Sequence, residues 1–235
     1  MTALRWDVSG PYEVAFTTRI GGVSDGPYAS LNLGRKTGDE VERVDENRRR
    51  ACTEIGADAE RLALNYQRHS ALVHRARPGA RGEPGDGLWT DEPDLPILAM
   101  SADCLPIALA RVNGDAPAVA VVHAGWRGLL EGVVESAVTA LGGGALAAAV
   151  GPAIGPCCYE VREDVAGPFR ARFGREIVER GRLDLWRAAE QALEDAGVAE
   201  VHRFDLCTAC HPELFFSHRR DGKPRGVQGV LARVA

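Results

Sequence analysis

Apolar residues recur along this chain in short runs separated by turn-forming residues, and the spacing within the runs changes from one segment to the next. Residues 13–19, EVAFTTR, alternate and predict a strand. Residues 21–34 are rich in Gly, Ser, Asp, Pro and Asn and predict a long ordered loop. Residues 39–56 predict a helix, with Asp39 as its cap and Gly56 as its stop. LALNYQ (62–67) and ALVHRA (71–76) predict strands on either side of His69, and 77–87, RPGARGEPGDG, predicts a loop. Three apolar runs of strand length follow, at 95–100, 105–112 and 116–123.

Residues 128–143 then place Leu129, Leu130, Val133, Val134, Ala137, Val138 and Leu141 on one helical stripe. A buried strand is expected at 146–151, helices at 162–173 and 185–196, and strands at 200–206 and 225–234. Strands outnumber helices, and there is no strict βαβ alternation, no GxGxxG and no internal repeat. The expected fold is therefore α+β, a single domain over residues 1–235 with mixed β-sheets packed together and helices outside.

Composition narrows the function. Of 235 residues, 45% are hydrophobic and 26% charged, as in an ordinary soluble globular protein. A formal net charge of −5 disfavours binding driven by nucleic-acid phosphates. The first 20 residues show no signal-peptide pattern, and no apolar run is long enough to span a bilayer. A cytoplasmic protein without membrane, nucleic-acid or obligate protein partners is expected. The six cysteines then read as core residues, metal ligands or nucleophiles rather than as a disulfide framework.

The chemistry points first to His123. It ends an apolar run, and Gly-Trp-Arg-Gly follows at the start of a helix. A helix start with unpaired N–H groups beside Arg127 is a candidate anion pocket next to an imidazole. Cys104 occupies a similar strand break between Asp103 and Pro106, and reads as a buried small residue, a metal ligand or a nucleophile. His69, between two short strands, is a candidate third member. One Cys and two His would form an open three-ligand zinc site with water in the fourth position. No local HExxH or paired CxxC pattern endorses that set.

A competing motif is CTACH at 207–211, the pattern of c-type haem attachment. That chemistry belongs to exported proteins. His211 and Glu213 match the His-x-Glu of zinc deaminases, but the P-C-x-x-C partner is incomplete, with Glu160 where the second cysteine of GPCCYE should stand. Cys207 and Cys210 are therefore expected to be reduced, packed and free of haem.

Taken in order, AFTTRIGGVS, SLNLG, ENRRR, QRH, SADC, VVHAGWRG, GPAIGPCCYEV, DLCTAC and FFSHRRDG resemble the YfiH-like family over residues 13–222 or so. Its members have been described as multi-copper polyphenol oxidases or laccase-domain proteins, and as purine nucleoside phosphorylases. The resemblance implies zinc held by His69, Cys104 and His123. It also implies phosphorolysis of adenosine, inosine, guanosine and methylthioadenosine, with adenosine deamination beside it. Arg19, Arg48 and Arg127 match arginines that would contact phosphate or nucleoside. The fold implied is that of the YfiH-like proteins and the cytotoxic necrotizing factor deamidases. The chain departs from the family pattern at Arg68, Ser70 and His218, and at Arg225-Gly226-Val227, where a family arginine is lost or displaced.

Three functions remain. A full multicopper oxidase needs on the order of ten imidazoles, and the chain has six histidines, so a copper-dependent polyphenol oxidase is the lesser reading. A Cys-His hydrolase or amidase of cell-wall precursor editing would use Cys104 as nucleophile and His123 as base. A zinc-dependent nucleoside phosphorylase with deaminase activity is the reading preferred.

Overall fold

The structure is a computed structural model and describes residues 2–112, 116–142 and 144–235. Its strands are β1 (Ala3–Arg5), β2 (Tyr12–Thr17), β3 (Ala63–Tyr66), β4 (Val73–Arg75), β5 (Arg81–Pro84), β6 (Gly87–Thr90) and β7 (Ile97–Ser101). They continue with β8 (Leu105–Arg111), β9 (Val119–Ala124), β10 (Leu146–Val150), β11 (Val178–Glu179), β12 (Arg182–Leu183), β13 (Glu200–Arg203) and β14 (Gln228–Val234). The helices are α1 (Val41–Glu54), α2 (Trp126–Glu131), α3 (Val133–Leu141), α4 (Glu163–Phe173), α5 (Leu185–Asp195) and α6 (His218–Asp221).

Two six-stranded mixed sheets result, ordered β1-β2-β14-β7-β3-β5 and β13-β10-β8-β9-β6-β4. The apolar runs without alternation now have a cause: central strands are buried on both faces. In β9, Val119 and Val121 face the first sheet, whereas Ala120, Val122 and Ala124 face the helices. In β14, Val230, Ala232 and Val234 face the second sheet and Leu231 faces the outer side with Cys52 and Ile55. The layers are thus α1, sheet, sheet, and then α2 to α5. Alanines 99, 108, 110, 147, 149 and 232 dominate the seam between the sheets, with Phe16 and Leu88 filling it. Small side chains there let the sheets approach closely.

The α+β arrangement expected from the pattern is the one found. Several details differ. The loop expected at 77–87 contains β5, an exposed edge strand that pairs parallel with β3 and carries no apolar periodicity to reveal it. The single helix expected at 128–143 is two, because Gly132 adopts φ 91° between α2 and α3. A left-handed residue ends one helix and only glycine takes it without strain. Asp39 does not cap α1; its Oδ2 accepts from Ser24 Oγ at 2.7 Å and Asn32 Nδ2 at 2.9 Å, so it braces the 21–34 loop. Strands β1, β6, β11 and β12 are too short to show a period. Among the described residues no helix is long and apolar enough to cross a membrane.

Candidate functional site

Cys104 and His123 come together because β8 and β9 are antiparallel. Pro106 pairs with His123 and Leu105 with Ala124, so the residue before β8 and the penultimate residue of β9 lie at the same sheet end. His69 arrives from elsewhere. The chain passes from β3 in one sheet to β4 in the other, and His69 sits in that crossing turn. The ligand atoms of His69, Cys104 and His123 all lie within 4.8 Å of one another, with Cys104 Sγ 3.8 Å from His69 Nε2. The two imidazoles meet edge to face at a centroid distance of 4.9 Å.

Asp86 builds this arrangement. Its side chain is fully buried and its Oδ1 lies 2.8 Å from His123 Nδ1. The same carboxylate accepts from the backbone N–H of Arg68, His69 and Ser70 and from Ser70 Oγ, at 2.7–3.0 Å. It thereby holds His69 at φ 62°, a left-handed conformation unusual for a non-glycine residue. With Nδ1 engaged, His123 presents Nε2 to Cys104 and His69.

The electrostatics follow from burial and proximity. Burial opposes ionisation of the Cys104 thiol, but His123 and His69 outweigh it and lower the thiol to about 6. Burial likewise opposes the His123 imidazolium, but Cys104 and Asp86 raise it to about 9. Both directions favour a thiolate–imidazolium pair in the metal-free protein. The Asp86 carboxyl is raised by burial, yet the bonds from His123, Ser70 and Arg68 hold it well below the ordinary carboxylate range.

A tetrahedral ion at about 2.0–2.1 Å from nitrogen and about 2.3 Å from sulfur sets its ligand atoms roughly 3.3–3.8 Å apart. The two imidazole nitrogens and the low-pKa thiol fit such an ion in spacing and in donor chemistry, and a three-ligand set leaves a position open.

Gly125 and Gly128 have a packing role. A Cβ on Gly125 would stand 2.5 Å from His69 Cδ2 and 3.2 Å from Cys104 Sγ, and one on Gly128 would stand 3.0 Å from Ser70 O. The glycines let the 69–70 turn lie on the start of α2, so that start is covered by protein. Arg127, expected in an anion pocket there, is exposed and its guanidinium stacks over the Trp126 ring at 4.2 Å.

The three residues instead line a cleft of about 660 Å³. Arg35, Lys36, Arg48, Arg81, Lys223 and Arg225 also line it, and no carboxylate does among the described residues. Arg35 is paired with Asp45, its Nε donating to Oδ1 at 2.7 Å; the other five have no carboxylate partner among the described residues and, in a chain of net charge −5, mark a site for an anion. Arg48 is 4% exposed, with Nε bonded to Leu33 O at 2.8 Å, and burial lowers it to about 10, so it stays charged at neutral pH. Arg225 Nε and Ser101 Oγ are buried in the cleft wall without a protein partner. Arg19 does not line the cleft. Its Nε donates to Ala29 O at 2.7 Å and its guanidinium packs on the Phe216 ring at 4.5 Å, which makes it a brace for the 21–34 loop. Tyr66, Leu64, Met100 and Val227 give the cleft an apolar side.

Residues 13–234 match the family described as multi-copper polyphenol oxidoreductase laccase. The chain belongs to this laccase-domain family. It is 33% identical to a purine nucleoside phosphorylase of Haemophilus influenzae, over 96% of each chain. It is 40% identical to one of Deinococcus radiodurans, over 90% of this chain and 85% of that one. Among solved structures, a Neisseria meningitidis protein superposes with a TM-score of 0.89 at 33% identity, covering 99% of this chain and 98% of the other. YlmD from Geobacillus stearothermophilus gives 0.88 at 32%, covering 100% and 96%.

Within this laccase-domain chain, residue types alone do not reveal Asp86, one of two acids, with Glu83, in a stretch that reads as loop; its flanking Gly85 and Gly87 are the one signal in the sequence. Arg225 stands in the segment that departs from the family pattern, and it reaches the cleft. His218, a departure from the family pattern, lines it too. Ser70 uses both its N–H and its hydroxyl on Asp86.

Proposed function

We propose that the protein, acting as one domain over residues 1–235, is a zinc-dependent purine nucleoside phosphorylase that also deaminates adenosine. The observation that carries this reading is a three-ligand site in a cleft lined by six cations, five of them without a carboxylate partner among the described residues. The phosphorylase names of its relatives support it.

In this reading His69, Cys104 and His123 hold the ion. When bound, zinc supplies a Lewis acid and an activated water at neutral pH. Arg48, Arg225 and Ser101 Oγ bind phosphate and aim one of its oxygens at the anomeric carbon, where proximity and charge neutralisation lower the barrier. The C–N glycosidic bond breaks as the new C–O bond forms, and the purine leaves with the bonding pair and takes up the proton that the attacking hydrogen phosphate gives up. Tyr66 and Met100 offer the base an apolar wall. Asp86 fixes the His123 tautomer. Arg19 and Arg127 act outside the cleft.

A second reading rests on a specific observation: Cys104, His123 and Asp86 also form a thiolate, imidazolium and carboxylate in sequence, the constellation of a cysteine hydrolase. Product analysis separates the readings. Purified protein with adenosine should give adenine and ribose 1-phosphate only when phosphate is present, and inosine with ammonia when it is absent. Turnover of amide substrates with no nucleoside turnover would favour the hydrolase.

A further inference from the structure

The cysteines of GPCCYE and CTACH, which read separately as incomplete motifs, converge. The sulfurs of Cys157, Cys158, Cys207 and Cys210 all lie within 4.8 Å of one another. Cys210 Sγ is 3.6 Å from Cys157 Sγ and 3.4 Å from Cys158 Sγ. We propose that these four cysteines bind a structural zinc ion as a tetrathiolate, which clamps the loop after β10 to the loop after β13.

The spacing distinguishes this from the alternatives. Four sulfurs around zinc at about 2.3 Å sit about 3.8 Å from each other. A disulfide takes two sulfurs at about 2.05 Å and leaves the other two without a role. Packed hydrophobic cysteines would be buried together, but here only Cys207 is buried, while Cys157 and Cys210 are exposed. That corrects the expectation that Cys207 and Cys210 are both packed in the core.

The surroundings suit a negatively charged thiolate cluster. The Gly155 N–H donates to Cys207 Sγ at 3.3 Å. Two guanidinium groups flank the cluster: Arg219 donates to Glu160 O at 3.1 Å, and Arg220 to Thr208 O at 2.8 Å and Ala209 O at 3.3 Å. A tetrathiolate zinc carries a net charge of about −2, which Arg219 partly offsets; Arg220 is itself paired with Asp221, its Nε 2.6 Å from Oδ1, and ties the CxxC turn through its carbonyl bonds. The loops are already in register through the bridge of Ala153 with Cys207 and the bond from Thr208 N to Ala153 O at 3.0 Å. Four protein ligands leave no open position, so the ion here is structural.

The clamp bears on the cleft. Thr208, inside the CxxC turn, donates to Asp103 Oδ1 at 2.6 Å, and Arg219 N donates to Asp103 Oδ2 at 2.6 Å. Asp103 precedes Cys104, and the chain runs on from Arg219 to Lys223 and Arg225 in the cleft wall. Zinc at the four cysteines would therefore stiffen the backbone on which that wall is built.

Metal analysis under reducing conditions, on protein without a histidine tag, tests this independently of the catalytic reading. Wild-type protein loaded with zinc and passed through a desalting column should carry about two zinc ions per chain. A His69→Ala/Cys104→Ala variant should retain about one, and Cys158→Ser/Cys210→Ser should lose about one. Cobalt in the first variant should show intense thiolate-to-metal charge transfer, as four sulfurs require. As a second measurement on unmutated protein, iodoacetamide should spare all four cysteines until a strong chelator is added. A His69→Ala/Cys104→Ala variant that folds but holds no metal would overturn the proposal. So would unmutated protein in which the four cysteines alkylate freely with zinc present, or in which mass spectrometry finds them joined by a disulfide.

Discussion

Replacing Asp86 by Asn tests whether one buried carboxylate assembles the site. The substitution keeps size and shape but removes the charge and turns one acceptor into a donor. Asp86 Oδ1 serves His69 N and His123 Nδ1, and Oδ2 serves Arg68 N, Ser70 N and Ser70 Oγ. Asparagine can keep the first pair with its carbonyl. Its amide then faces two backbone N–H donors, which are orphaned; the Ser70 hydroxyl can rotate to accept. Each orphan costs about 1–3 kcal/mol, so a loss of about 3 kcal/mol is expected. For a chain of this size that lowers Tm by about 6–12 °C. The effect acts at neutral pH because the folded carboxyl lies below its ordinary value. Its contribution is therefore present above the unfolded pKa, about 3.9, and is lost only as pH falls through the folded value. Zinc affinity should fall about 10–100-fold as His123 loses its charged partner. The assays are thermal unfolding of metal-stripped protein by circular dichroism and zinc competition against a chromogenic chelator. A Tm within about 2 °C of wild type, with zinc affinity within about threefold, would refute the reasoning.

Other outcomes follow from the same geometry. In metal-stripped protein, Cys104 lies at about 6 and His123 at about 9, so iodoacetamide should react with Cys104 half-maximally near pH 6; a profile that rises only above pH 8 would contradict the pair. The stabilisation from Cys104 should fade as pH drops through about 6, and that from His123 as pH rises through about 9, which denaturant titrations at pH 5, 7.5 and 10 would resolve. Arg48→Ala and Arg225→Ala should each raise the KM for phosphate about tenfold, for a lost contact near 1.5 kcal/mol, whereas Arg127→Ala should change it less than about twofold; steady-state kinetics with varied phosphate decides. Gly125→Ala places a methyl 2.5 Å from the His69 ring and should lower zinc retention at that site, read by metal analysis of the folded variant.

How legible the site was depended on how local its causes are. Cys104 and His123 stood out because β8 and β9 are long apolar strands whose ends can be read, and antiparallel pairing brings those ends together. The position of His69 depends on a chain crossing between two sheets, and strand patterns hold no record of which sheet a strand joins. The resemblance supplied what the pattern lacked there. The arginines divided by burial and direction: Arg48 reaches the cleft from the inward face of α1, while Arg127, one residue into a helix on the outer layer, faces solvent. Asp86 was hidden because a buried carboxylate and an exposed one look the same in a glycine-rich stretch. The break at Gly132 shows the limit of the apolar stripe, which continued through both helices although the backbone turned.

In the proposed reaction the cleft transfers a ribosyl group from purine to phosphate with the help of the His69–Cys104–His123 site. The most direct measurement incubates inosine and radiolabelled phosphate with metal-stripped protein, with the same protein after zinc is restored, and with the Cys104→Ala variant given zinc. Labelled ribose 1-phosphate and hypoxanthine should form in equal amounts with the zinc-restored wild-type protein and fall to background in the other two. Label entering ribose 1-phosphate equally in all three, or in none while phenols or amides are turned over instead, would contradict it.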